Sequence, residues 1–115
     1  MQYPSEQDFL ELLDLEAEIR DEGALAVHYT ITTESSPLQV EFSFSPVTDS
    51  FQAALSHSSQ LISTISSDNV LDIQITKSAQ KSVICVQMKY EGMTSEATIT
   101  VSPSIHMNWW TLRSS

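Results

Sequence analysis

TDSFQAALSHSSQLISTISSDN (48–69) is the stretch on which the choice of fold class rests. Stepping about 100° per residue places Phe51, Ala54, Leu55, Ser58, Leu61, Ile62 and Ile65 along one side. Gln52, Ser56, Ser59, Gln60, Ser63 and Thr64 fall on the other, which carries no charge. That spacing predicts a helix beginning near Thr48 or Asp49 and ending at Asp68-Asn69. Serine is a mediocre helix former, so such a helix depends on packing against a sheet.

The sheet is expected on both sides of it. In LAVHYTITT (25–33), Leu25, Val27, Tyr29 and Ile31 share one face. In LQVEFSFS (38–45), Leu38, Val40, Phe42 and Phe44 do the same. The short polar link Thr33-Glu34-Ser35-Ser36-Pro37 makes the two an antiparallel hairpin. Beyond the helical stretch, VLDIQIT (70–76) aligns Leu71, Ile73 and Ile75. SVICVQMKY (82–90) is apolar on both faces in its first half, as a central strand would be. Glu91-Gly92 is a hairpin turn, and TSEATITV (94–101) aligns Ala97, Ile99 and Val101. After Pro103 the tail SIHMNWWTLRSS (104–115) is expected to add an edge strand or to lie over the core.

The N-terminal segment EQDFLELLDLEAEIRDEG (6–23) also has helical spacing. Ser5 is placed as N-cap with Asp8 at the capping-box position, and Gly23 as the left-handed stop. Phe9, Leu10, Leu12, Leu13, Leu15, Ala17 and Ile19 form a broad apolar arc. Glu16 and Arg20 interrupt that arc, four apart in the order that favours a pair. The order α-β-β-α-β-β-β predicts an α+β domain spanning residues 1–115, with a mostly antiparallel five-stranded sheet and both helices on one face.

Composition narrows the function. An apolar fraction of 41% and a mean hydropathy of -0.10 are those of a folded globular chain. No apolar run reaches the roughly 20 residues of a membrane helix, and the start MQYPSEQDFL has no signal-peptide character. The single cysteine, Cys85, has no internal disulfide partner, which suits a reducing compartment, so a cytoplasmic location is expected. Net charge is -10, with only Arg20, Lys77, Lys81, Lys89 and Arg113 as bases. Direct nucleic-acid binding needs a basic footprint, and an anionic membrane would repel such a chain. A basic protein partner is the complementary expectation.

Catalytic signatures are missing. His28, His57 and His106 have no metal-pair spacing with one another or with cysteine. There is no G-x-S-x-G elbow, and Gly23 and Gly92 are too few for a phosphate-cradling loop. Ser56-His57-Ser58 puts neighbours on different sides of a helix, and Cys85 sits in an apolar strand as an inert thiol. The carboxylates show neither EF-hand spacing nor a convergent acid pair. A non-enzymatic protein with no cofactor and no metal is therefore expected.

What remains is binding. Residues 6–23 hold eight acids and one arginine, and Glu11, Asp14, Glu18, Asp21 and Glu22 share one helical side. Acids in the last turn oppose the helix dipole, and neighbours four apart repel, so the stripe costs stability unless a partner uses it. Trp109 and Trp110 are adjacent, so in an extended tail they point in opposite directions. One is expected to enter the core, and Trp110 joins the partner-binding set.

In size, acidity, cytoplasmic character and lack of catalytic motifs, the chain resembles the small acidic immunity proteins of bacterial polymorphic and contact-dependent toxin systems. The resemblance implies a tight inhibitor that covers the active site of a basic, nuclease-type toxin domain, with carboxylates standing in for phosphates. Small acidic type III secretion chaperones are also similar, through an N-terminal amphipathic helix and an antiparallel sheet. They imply binding of an unfolded effector segment, although an extended tail after Pro103 departs from their C-terminal helix. A nucleic-acid-mimicking inhibitor of a defence enzyme would use the same physics as the first.

Overall fold

The structure, a computed structural model, describes residues 1–21 and 26–113. Residues 48–69 are not helical. They form a hairpin of β4 (Ser50–His57) and β5 (Gln60–Ser67), joined by Ser58 and Ser59. Both serines have positive φ, 49° and 70°, as a two-residue primed turn requires, although Asn-Gly is its usual sequence. Phe51 and Ala53 are buried with period two, Leu55 is half-buried after them, and Ile65 is buried from β5. The helical alignment of this stretch was produced by the doublets Ala54-Leu55 and Leu61-Ile62. Leu61 and Ile62 are in fact exposed.

The first helix is also shorter than expected. α1 (Glu6–Leu13) starts with the anticipated capping box, in which Ser5 Oγ accepts from Asp8 N–H and Asp8 Oδ2 accepts from Ser5 N–H, both at 3.1 Å. It stops at Asp14, which takes the left-handed conformation at φ 56°. Asp14 N–H donates to Leu10 O at 3.0 Å, and Leu15 N–H to Phe9 O at 3.1 Å. From there the chain is extended: Leu15 and Ala17 are half-buried against the core, while Glu16 and Glu18 are exposed. β1 (Ile19–Asp21) then pairs with the next strand. The segment thus buries its apolar residues by strand alternation beyond Asp14, and Glu16 and Arg20 are not neighbours on a helix. Gly23, and with it the expected cap, lies outside the described residues, as does Leu25.

The domain is therefore mostly β rather than α+β. β1, β2 (Ala26–Thr33), β3 (Ser36–Ser45), β4 and β5 form one antiparallel sheet in sequential order. β6 (Val70–Lys77), β7 (Ser82–Tyr90), β8 (Met93–Ser102) and β9 (His106–Arg113) form a second. The expected single sheet with helices on one face is replaced by two meanders whose inward rows merge into one core. Asp68 and Asn69, the latter at φ 61°, carry the chain from one sheet to the other. Val70 N–H donates to Asp49 O at 2.9 Å and Lys89 N–H to Asn69 O at 3.2 Å across this corner.

The predicted hairpins stand within this frame. Tyr29 and Ile31 of β2, and Val40, Phe42 and Phe44 of β3, are buried. Ala97, Ile99 and Val101 of β8 are buried, and β7 is central, with Ile84, Val86 and Met88 inward and Val83 covered on the other face. The Glu91–Gly92 turn has φ values of 49° and 76°. One strand departs from its expected face. A register shift between Val70 and Asp72 buries Val70 with Ile73 and leaves Leu71 exposed.

Phe9 is the contribution of α1 to this core. It is fully buried, with its ring centroid 4.1 Å from Tyr29 and 6.4 and 6.0 Å from Phe42 and Phe44. Ahead of the helix, Gln2 bridges the edge of β6: its N–H donates to Leu71 O at 3.1 Å and its O accepts from Ile73 N–H at 2.8 Å. The N-terminal segment therefore covers part of one sheet edge and fills the aromatic half of the core.

Candidate partner-binding surface

The five acids grouped by helical spacing do not form a helix face. Glu11 lies on α1, where it accepts from Gln7 Nε2 at 2.7 Å, and Asp14 is the helix cap. Glu18 lies in the extended stretch, its N–H donating to His28 O at 2.9 Å. Asp21 is in β1, and Glu22 is outside the described residues. What the fold provides instead is a run of exposed carboxylates, Glu11, Asp14, Glu16 and Glu18, on a segment that leaves the helix and leads towards the first sheet.

That path gains a member that sequence periodicity does not show. Glu18 Oε2 accepts from Thr30 Oγ1 at 2.8 Å, which holds the carboxylate beside the outer face of β2. Thr30 is the register partner of Glu41 in β3, so Glu41 stands on the same face next to it. Both carboxylates are exposed. The sequence signal for Glu41 was its outward position in the β2–β3 hairpin, but its closeness to Glu18 needed the path of the N-terminal segment.

The two tryptophans differ from expectation. Neither enters the core: Trp109 is 48% exposed and Trp110 is 41% exposed. Trp109 is the partner of buried Ala97, and Trp110 is the partner of Glu96 on the opposite face. β9 is the edge of its sheet, and Met107 of this strand packs against the core. Farther along, Trp109 keeps the inward direction but not the cover. Tyr90 and Met93, at the tip of the β7–β8 hairpin, are exposed too. Exposed apolar side chains on both faces of an unpaired edge suit contact with another protein.

Other chemistry is sparse. A depression of about 470 Å³ on the first sheet is lined mainly by serines, among them Ser43, Ser50 and Ser66, with Asp68 as its carboxylate. His106 Nε2 lies 3.0 Å from Ser104 Oγ. Burial pushes the Cys85 thiol up, the nearby Glu96 carboxylate adds to this, and a hydrogen bond with Thr76 opposes it, so the thiolate is disfavoured. Among the described residues, no group of three or more His, Cys, Asp or Glu side chains could hold a metal ion. No helix among them is long and apolar enough to cross a membrane.

The architecture defines a class, a mostly β domain of two antiparallel meanders with one N-terminal helix. No family model and no curated protein sequence matches the chain. Among solved structures, the fold is similar to that of a chain in the contact-dependent growth inhibition toxin–immunity protein complex from Klebsiella pneumoniae 342. The two superpose with a TM-score of 0.88 over 96% of this chain and 96% of that one, at 21% sequence identity. At that identity the likeness is one of fold.

Proposed function

We propose that this chain is an immunity-type inhibitor that neutralises a toxin domain by forming a tight complex with it. The observation that carries the reading is the fold shared, over nearly the whole of both chains, with a component of a toxin–immunity protein complex. The charge supports the inhibitor side of such a pair, since -10 on 115 residues favours capture of a basic domain. A basic, nuclease-type toxin is the partner for which these carboxylates would replace phosphates. Glu11, Asp14 and Glu18, with Glu41 beside Glu18, are the charged contacts we assign, and Asp21 and Glu22 continue the same segment. Trp110 is the apolar contact. The alternative of an effector-binding chaperone loses its main support, because the apolar helical arc it needed ends at Leu13.

Growth tests the proposal directly. Expression of the toxin domain encoded beside this gene should arrest cells, and co-expression of this chain should restore growth. The purified pair should bind with nanomolar or tighter affinity, with an on-rate that falls steeply as salt rises. Reversal of Glu11, Asp14 and Glu18 to lysine should slow association at least about tenfold while circular dichroism shows the fold retained. Growth arrest by this chain alone would assign it to the toxin side. Unchanged association after the triple reversal would reduce the acidic path to a solubilising surface.

A further inference from the structure

The net charge is not spread evenly over the molecule. Residues 1–69, which supply α1 and the first sheet, hold twelve of the fifteen acids and one of the five bases. Residues 70–115, which supply the second sheet, hold three acids and four bases. The first part therefore carries -11 and the second +1. No lysine or arginine occurs between Arg20 and Lys77, so β2 to β5 contain none. The outward rows of these strands are short and polar. Ser43, Gln52 and Ser66 stand side by side across β3, β4 and β5, and Glu41, Ala54 and Thr64 do so in the next outward row. Glu41, Gln52, Thr64 and Ser66 are exposed. At one end of this face Asp68 lines the depression of about 470 Å³ together with Ser43 and Ser66. Towards the other end Glu41 lines a second depression of about 310 Å³ with Gln39 and Ser56. Glu18, held by Thr30 beside Glu41, joins the face to the acidic N-terminal segment.

We propose that the outward face of β2 to β5 is a docking face for a basic protein segment, whose lysine or arginine side chains lie across the hydroxyls between Glu41 and Asp68. The division of charge selects both the surface and its occupant. A basic segment is attracted by the part at -11 and gains nothing from the part at +1. A second copy would bring the same negative face and is repelled, while a nucleic acid or an anionic lipid surface finds no base here. Serine and threonine hydroxyls and the Gln52 amide oxygen accept hydrogen bonds from guanidinium and ammonium groups, so the neutral floor and the charged margins suit one occupant. With strands about 4.8 Å apart, the face is about 14 Å wide from β2 to β5, room for one helix about 10–12 Å across or one hairpin. Exposed ion pairs add little affinity, so the main gain is in steering and in choice of partner. The segment is assigned to the toxin domain, and that assignment rests on the immunity reading.

Titration of the purified full chain with an octa-arginine peptide, followed by NMR, tests the face without any toxin. The backbone amides of Ser43 and Ser66 and the side-chain amide of Gln52 should shift, while Gln74 and Gln80 of the second part stay in place. The toxin domain encoded beside this gene supplies the second measurement. Gln52→Lys with Ser66→Lys should weaken its binding at least about tenfold. Gln74→Lys with Gln80→Lys makes the same change of charge on the second part and should weaken it less than about threefold. All four side chains are exposed, so circular dichroism of both variants should match the parent. Peptide shifts that bypass Gln52 and Ser66 overturn the proposal, as does toxin binding that the two variants weaken equally or not at all. A parent chain that takes octa-arginine on this face but does not bind the toxin keeps the face and removes the immunity reading instead.

Discussion

The first sheet turns Tyr29, Phe42, Phe44 and Phe51 towards the core together with Ile31, Val40, Ala53 and Ile65, whereas the buried residues described in the second, Val70, Ile73, Ile84, Val86, Met88, Ala97, Ile99 and Val101, include no aromatic ring. The aromatic half is not complete by itself. Large flat rings leave gaps that neighbouring strands do not fill, and Phe9 from α1 enters among them. The aliphatic half interdigitates across β6, β7 and β8, so its packing is spread over many small contributions. One half relies on a segment distant in sequence, and the other is largely built from consecutive hairpins. A short acidic helix that looks like surface decoration is therefore a structural element of the first sheet.

Removing the ring that links α1 to the sheet is the largest test of that contrast. Phe9→Ala should cost about 3–5 kcal/mol in urea unfolding, with hydrogen exchange accelerating in β2 and β3 before β7 and β8. Equal acceleration in both sheets would break the comparison and make the domain a single cooperative unit. In the aliphatic half, Ile84→Ala should cost about 2–5 kcal/mol, with hydrogen exchange accelerating first in β6 and β8, because Ile84 sits on β7 between them. The smallest effect is expected at the helix start. Ser5→Ala removes the capping bond to Asp8 N–H and should lower stability by about 1 kcal/mol, measured by the same unfolding curve. If that loss also appears as faster exchange in β2 alone, the helix and the first sheet are coupled as described.

The regions that were legible in the sequence share one property. In β2, β3 and β8 the apolar residues alternate over several positions and most of them are buried, so the pattern and the core coincide. The β4–β5 hairpin breaks this link. Leu61 and Ile62 face solvent, and the turn serines at 58 and 59 give none of the Asn-Gly signal of a primed turn. With exposed apolar residues counted as core, a 3.6-residue spacing emerged that the chain does not use. The N-terminal segment held a readable clue in Leu15, Glu16, Ala17, Glu18 and Ile19, which alternate like a strand immediately after a helical run. The acidic residues were legible as a cluster but not as a surface. Whether Glu41 joins Glu18, and whether Trp109 and Trp110 are covered, depends on register and on where the sheets end.

By itself the sequence determined the charge of the molecule and its concentration near the N-terminus, the capping box at Ser5, the β2–β3 hairpin and the Glu91–Gly92 turn. Each depends on side-chain chemistry or on neighbours a few residues away. Tertiary structure alone decided that residues 50–67 are strands, that α1 ends at Asp14, and that two tryptophans stay outside. Intrinsic preferences among serine, alanine and leucine differ by only a few tenths of a kcal/mol per residue, too little to choose between helix and strand. The ladder to β3 and the burial of Phe51, Ala53 and Ile65 make that choice, and both come from partners outside the segment.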